Sequence, residues 1–510
     1  MPSDRKKAFD YKPLTPSRAK TADSDGGFRL SPVKQREASL TREIPIQEPE
    51  RAHTGGAEHK EEIKVTPPGE NTGKTEKQRN SLAAERWLAR NGHFLTYCSL
   101  FLFTLMVYLR PYELTSALSF LSGTTVYFAI LTIVLFIPSQ IATEGNLTVL
   151  TTEVKAILAM AAISLVTIPV ARNPLLAWET FSDPYIKAVV IFIILVNVVR
   201  TRKRMLGLMW LSLAIAIYLS TVAIKLYIAG EFAVEGYRVA VTDGEGMFSN
   251  PNDMAIHLVT MTPLALALGL ASKNLLARIM FFAVVAVLIA ATMFTFSRGG
   301  FLGLLGAAGV FAWKAGRAHR TKVTAVSIVS GIVLLILAPG NYGLRMLSIF
   351  IPSLDPVGSA DARREGLITS IIVTIRNPWG IGIGNSTTFG AHNLQTHNAY
   401  TQVSSELGIL GLIAYLVFIV SPFRKLGAIE RTQFESDSHD WFYYLAIGLQ
   451  ASILGYMISS FFASVAYNWY IYYLVAYAVA FRRIYALETA SGNAVTPQQS
   501  VWDRSLPAAA

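Results

Sequence analysis

Few residues in this chain of 510 have both the type and the setting for chemistry, and they fall in four stretches. The first, FTFSRGG (residues 294–300), puts Arg298 and two glycines at a turn between apolar blocks. A guanidinium there can grip a phosphate or carboxylate with two parallel hydrogen bonds, or simply pair with a lipid phosphate. Gly299 and Gly300 let a ligand or another helix come close to the backbone. The second, DARREGLITSIIVTIRNPWGIGIGN (361–385), carries Arg363 and Arg364 ahead of an apolar stripe of Leu367, Ile368, Ile371, Ile372 and Ile375 at helical spacing. Such a helix suits a membrane surface. Pro378 stops it, and Gly380, Gly382 and Gly384 predict a flexible loop, without the Lys-Ser/Thr or the soluble βαβ unit of a nucleotide site. In the third, QTHNAYTQVSSELGILGLIAYL (395–416), His397 precedes an apolar helix and Glu406 lies about two turns into it. A histidine at such a place can serve as base, donor or ligand, or be an ordinary surface residue. His392 and His397 lack a nearby carboxylate and make a poor metal constellation, so neither metal nor cofactor is expected. The fourth, MFSNPNDMA (247–255), has Asn, Ser and Pro251 placed to cap and begin a helix, holding Arg238 and its loop above the membrane.

The elements that must position these residues are membrane helices. Hydrophobic residues make up 52% of the chain and charged residues 15%, and the apolar ones gather in blocks of roughly 17 to 25, enough to cross the hydrocarbon core. The pattern predicts an all-α polytopic membrane protein of about twelve spans. They lie near 92–109, 117–138, 149–170, 184–200, 205–229, 253–271, 275–294, 299–313, 323–339, 399–421, 441–463 and 467–481. Alternate loops hold the excess of Lys and Arg, including Arg200, Arg202, Lys203 and Arg204, then Lys314, Arg317, Arg320 and Lys322, then Arg482 and Arg483. By the positive-inside rule both termini are cytoplasmic. The longest external segment, 340–398, then joins spans nine and ten, and a connection that long usually has a function.

The net charge of +11 follows from these loops and a basic tail, so no nucleic-acid partner is implied. Residues 1–80 contain no apolar run and predict a disordered cytoplasmic tail. Residues 81–91 form a juxtamembrane amphipathic segment, readable as an interfacial helix or as an extension of the first span. The transmembrane domain is expected over 92–483, and 484–510 as a cytoplasmic tail. The first apolar block lies too far along for a cleaved signal peptide and reads as a permanent anchor. The single cysteine, Cys98, sits within that block, which excludes an intramolecular disulfide. Few charges approach the bilayer midplane, and this argues against an ion-coupled transporter.

The ordered set F-SNPND-A, T-FSRGG, R-x-x-x-L with NP-x-G-x-G-x-G, and HN-x-Y-x-Q-x-x-x-ELG-x-x-G-x-x-x-Y resembles the bacterial O-antigen ligase and Wzy-type polymerase superfamily. It covers about residues 230–420 by motif and the membrane region by topology. The resemblance implies a metal-independent glycosyltransferase in the bacterial inner membrane. It would work at the periplasmic face on an undecaprenyl-diphosphate-linked glycan donor. It also implies that Arg298 and Arg363 engage the diphosphate and that His397 assists the acceptor. Arg364 adjoins Arg363 and shares its register, Arg238 matches loosely an arginine upstream of the NPN element, and Glu406 orients His397 or caps a local network. The acceptor stays open among lipid A core, a second lipid-linked glycan and a protein hydroxyl. A lipid-linked glycan flippase is the alternative from another class, and the long tail hints at other polysaccharide-assembly proteins as partners.

Overall fold

The computed structural model describes residues 92–493, apart from 111–115, 122, 233–234, 242–247, 318–319, 337–341, 349–350, 352–358 and 390–395. The expected tail 1–80, the segment 81–91, His392 and residues 494–510 lie outside the described residues. Everything described is helix, turn or loop, without a β-strand. The helices are α1 (Phe94–Leu109), α2 (Thr124–Glu144), α3 (Thr152–Thr167), α4 (Pro174–Thr180), α5 (Ile186–Val198), α6 (Arg202–Ala229), α7 (Pro251–Ala271), α8 (Leu275–Phe294), α9 (Arg298–Ala315), α10 (Arg320–Ile336), α11 (Tyr342–Leu347), α12 (Ser359–Arg376), α13 (Ala399–Glu435), α14 (Trp441–Ser459) and α15 (Trp469–Asn493).

Each of the expected spans falls on one of these helices. Eight of the helical segments described are by themselves long and apolar enough to cross a membrane, and α1, at 16 residues, is apolar but shorter. The chain is a multi-pass membrane protein. Several boundaries differ from the sequence expectation: α2 lies about six residues later than the span 117–138, and α13 runs to Glu435 rather than ending at 421. The fourth span begins at Pro174, because α4 and the turn Phe181–Tyr185 continue directly into α5. The last helix runs past residue 483 to Asn493.

Helices without a polar face belong inside a bundle, and those with apolar groups turned outward need lipid. In α15 no side chain from Tyr470 to Phe481 is more than 1% exposed. Its tyrosines remain buried because their hydroxyls find partners: Tyr473 with Thr104 at 2.9 Å, Tyr477 with Ser212 at 2.9 Å. At the periphery, α2 and α8 turn Val126, Ile130, Val134, Leu276 and Ile279 outward.

At one end of the bundle, cations that the sequence assigns to membrane orientation also bind two buried carboxylates, Glu153 and Glu430, and a half-buried one, Glu144. Glu153 meets Arg482 at 2.7 Å and Lys425 at 3.1 Å, Glu430 meets Lys314 at 2.7 Å and Arg317 at 3.1 Å, and Glu144 meets Arg200 at 2.9 Å and Arg483 at 3.0 Å. Removing one member of such a buried pair strands the other charge. At the opposite end lie the N-termini of α7, α9 and α13 and the C-termini of α8 and α14. There α9 and α14 touch backbone to backbone, because a Cβ on Gly303 would run into the Ser459 hydroxyl and lie 2.7 Å from the Gly455 carbonyl. Small residues permit this approach between membrane helices.

Candidate functional site

The turn that delivers Arg298 is held by two other arginines. Ser297 caps α9 by accepting from Gly300 N, which makes Arg298 the first residue of the helix. Just before it, the Thr295 carbonyl accepts from Arg238 Nε at 2.9 Å and the Phe296 carbonyl from Arg345 Nε at 2.9 Å. Phe296 itself has φ 51°, a conformation that a bulky residue adopts only when its surroundings impose it. Arg238 Nη2 also donates to Asn252 Oδ1 at 2.8 Å, and the same oxygen accepts from Ser297 Oγ at 3.0 Å. Glu235 lies between the two guanidinium groups, 3.6 Å from Arg238 and 3.1 Å from Arg345. Burial pulls Arg238 below the ordinary guanidinium range, partly offset by Glu235. Asn250 caps α7 with Pro251 at its first position, which fixes Asn252 for this task. Arg298, 6% exposed, then donates from Nη1 to Ser348 Oγ at 3.0 Å.

His397 is positioned by a break in a membrane helix. At Gly408 (φ 71°, ψ −171°) α13 divides into a stub, 399–407, and a long span, 409–435. Only glycine occupies that region of backbone space without strain. The groups freed by the break pair with the glycine segment after α12. Ser405 O accepts from Ile381 N at 3.0 Å, Glu406 O accepts from Gly382 N at 3.0 Å, and Ile409 N donates to Pro378 O at 2.9 Å. Backbone polar groups near lipid must find partners in this way. The sequence reading of a flexible loop is therefore corrected. Gly380, Gly382 and Gly384 all have positive φ, and at Gly380 a Cβ would collide with the Glu406 carbonyl. They form a strap packed against the stub.

This arrangement predicts that Gly408→Ala destabilises the protein by about 1–3 kcal/mol through backbone strain alone. The added methyl also meets the Pro378 carbonyl. A fall in Tm in lipid nanodiscs checks it, and an unchanged Tm would mean that the break relaxes.

At the head of the stub, Asn398 caps the helix by accepting from Tyr400 N at 2.9 Å and Thr401 N at 3.1 Å. His397 precedes it with φ 49°, a left-handed conformation that histidine tolerates better than most residues. Its pKa is lowered, first by burial and then by the Arg363 charge, so the neutral imidazole persists into mildly acidic conditions.

These elements converge on a cavity of about 250 Å³. Its charged wall is Arg298 from α9 with Arg363 and Arg364 from α12, and His397 stands beside them. Leu367, Phe461 and Phe462 form an apolar side, and Ser348, Thr396 and Asn398 add polar groups. Arg298, Arg363, Arg364 and His397, distant in sequence, thus share one space. Arg238 and Glu406 are not in its lining. Arg238 supports the turn before Arg298, as described. Glu406 is fully buried and its Oε1 accepts from Ser386 N at 3.3 Å, tying the stub to the strap. It is also not a carboxylate within a continuous apolar span, because it lies in the last turn of the stub, two residues before the break. Arg345, Ser348, Asn398 and the Phe461–Phe462 pair escaped sequence reasoning. Arg345 carried a signal, a cation inside the long segment expected outside, against the positive-inside trend, and Asn398 carried one as the second residue of the HN-x-Y motif. Among the described residues no group of three or more His, Cys, Asp or Glu side chains is arranged to hold a metal ion.

Residues 281–416 match the family model described as O-antigen ligase. Over these residues the chain is similar to the O-antigen ligase family. No curated protein matches the chain. The O-antigen ligase match begins within α8 and ends within the long span of α13. It therefore includes the three arginines and the histidine of the cavity, the strap and the helix break, whereas Arg238 and the Phe461–Phe462 pair lie outside it. The family to which this segment is similar is one of glycan-transferring membrane enzymes.

Proposed function

We propose that this protein is a membrane glycosyltransferase of surface-polysaccharide assembly. It takes glycan from an undecaprenyl-diphosphate-linked donor at the periplasmic face of the inner membrane, without a metal ion. The observation that carries this reading is the single cavity in which three guanidinium groups face an imidazole, with an apolar wall beside them. In the reaction, the bond between the sugar anomeric carbon and the diphosphate oxygen breaks, and its electron pair leaves with the diphosphate. The acceptor hydroxyl oxygen bonds to that carbon and its proton passes to His397. Arg298, Arg363 and Arg364 counter the charge that collects on the departing diphosphate, an effect strongest in a partly dehydrated site. The neutral imidazole that burial and Arg363 maintain is the form able to accept the proton. The apolar wall of Leu367, Phe461 and Phe462 suits the isoprenoid that tethers the donor to lipid.

The test is a transfer assay with purified protein in nanodiscs, supplied with undecaprenyl-diphosphate-linked repeat units alone. Longer lipid-linked chains, lost in the His397 variants described below, are the result expected of a polymerase. If chains do not lengthen, lipid A core and then protein acceptors are added, and product on either identifies a ligase or a protein O-oligosaccharyltransferase. Failure with every acceptor overturns the transferase reading in favour of a flippase.

A further inference from the structure

Asn398 faces two demands with one amide. Its Oδ1 is committed to the two backbone N–H groups at the start of the stub, and this fixes which end of the amide is oxygen and which is nitrogen. The Nδ2 group is thereby left over. It is buried and, among the described residues, has no hydrogen-bond partner, in a residue that is 3% exposed and borders the cavity. Buried donors are nearly always paired, so one left open beside a cationic cavity calls for an acceptor supplied from outside the chain. The same residue follows His397 directly, while Arg298, Arg363 and Arg364 mark the cavity as a place for anionic oxygen.

We propose that Asn398 Nδ2 donates a hydrogen bond to a non-bridging oxygen of the donor diphosphate, and that this bond strengthens as the sugar–phosphate bond breaks. The inference rests on the transferase reading above and adds a substrate-contacting residue to it. A neutral amide contributes direction where the guanidinium groups contribute charge. Because Oδ1 locks the side chain to the stub, the donor is fixed before substrate arrives and needs no reorganisation during the reaction. Helix cap and substrate contact are then two ends of one rigid group.

The two roles separate by substitution, since serine and aspartate cap helices as well as asparagine does but carry no amide nitrogen. Asn398→Ser and Asn398→Asp are expected to keep the wild-type Tm in nanodiscs. Their binding of farnesyl diphosphate, followed by thermal shift, should weaken about 10-fold or more in the serine variant, as for loss of one hydrogen bond to a charged group. It should weaken further in Asn398→Asp, where a carboxylate oxygen replaces the donor and repels phosphate. Transfer rates should fall by about 10²–10³-fold, the usual effect of removing one such donor. Asn398→Ala should lose both binding and Tm. Farnesyl diphosphate binding that is the same, or absent, in wild type and both capping variants overturns the donor role, as does a wild-type transfer rate in Asn398→Ser. If the wild-type protein transfers glycan to none of the acceptors, it is the transferase reading that falls.

Discussion

Arg298→Lys is expected to lower glycan transfer by about 10²–10³-fold while the protein stays folded. Lysine keeps the positive charge, so a substantial loss would show that charge alone is insufficient. The structure gives the physical reason. Arg298 emerges at the first position of α9 from a turn whose two carbonyls are gripped by Arg238 and Arg345, and one of its own nitrogens is engaged by Ser348 at 3.0 Å. Its guanidinium plane is thus oriented before any ligand arrives, ready for a forked contact with phosphate oxygens. An ammonium on a flexible stem offers neither the plane nor the fork. The measurement is the transfer rate at saturating donor, with Tm in the same nanodiscs as the folding control. Wild-type turnover in Arg298→Lys would reduce the arginine to a point charge, and wild-type turnover in Arg298→Ala would remove it from the site.

The second large effect concerns His397. His397→Asn should reduce transfer by about 10²–10⁴-fold, the span associated with loss of a general base. Asparagine is the informative replacement because it too tolerates the left-handed backbone found at this position (φ 49°), so the stub should start where it does now. His397→Gly tolerates the same backbone, and added imidazole should restore part of its rate. Failure of that rescue, with folding intact, would point to a structural role.

The pH dependence follows from what surrounds the imidazole. Burial and the Arg363 charge both lower its pKa, so the active neutral form survives below the pH at which a solvent-exposed histidine protonates. In the free enzyme, kcat/KM should therefore fall only on the acid side of about 6.5. Arg363→Gln removes a positive neighbour, which makes protonation easier and moves this acid limb to higher pH. A limb that stays in place in the residual activity of Arg363→Gln would assign it to another group.

The membrane architecture was legible in the sequence because lipid imposes length and apolarity on each span separately, without reference to neighbours. Each of the expected spans lies on a helix for this reason. The candidate cations were legible too, since Arg298, Arg363 and Arg364 stand against the charge bias of the segments around them. Tertiary structure decided what those residues do together. The break at Gly408 reads in sequence as an ordinary glycine in an apolar helix. Its meaning depends on a strap that begins some thirty residues earlier and supplies the missing hydrogen bonds. The same holds for Arg238 and Glu406, conspicuous by type, which the fold assigns to supporting networks. Arg345 and Ser348 gain importance only because α11 packs beside the turn before α9. Periodicity and charge bias are properties of a single segment, whereas a cavity is made where several segments meet. For this chain, sequence alone determined which residues could carry charge at one end of a helical bundle, and tertiary packing decided which of them share a cavity.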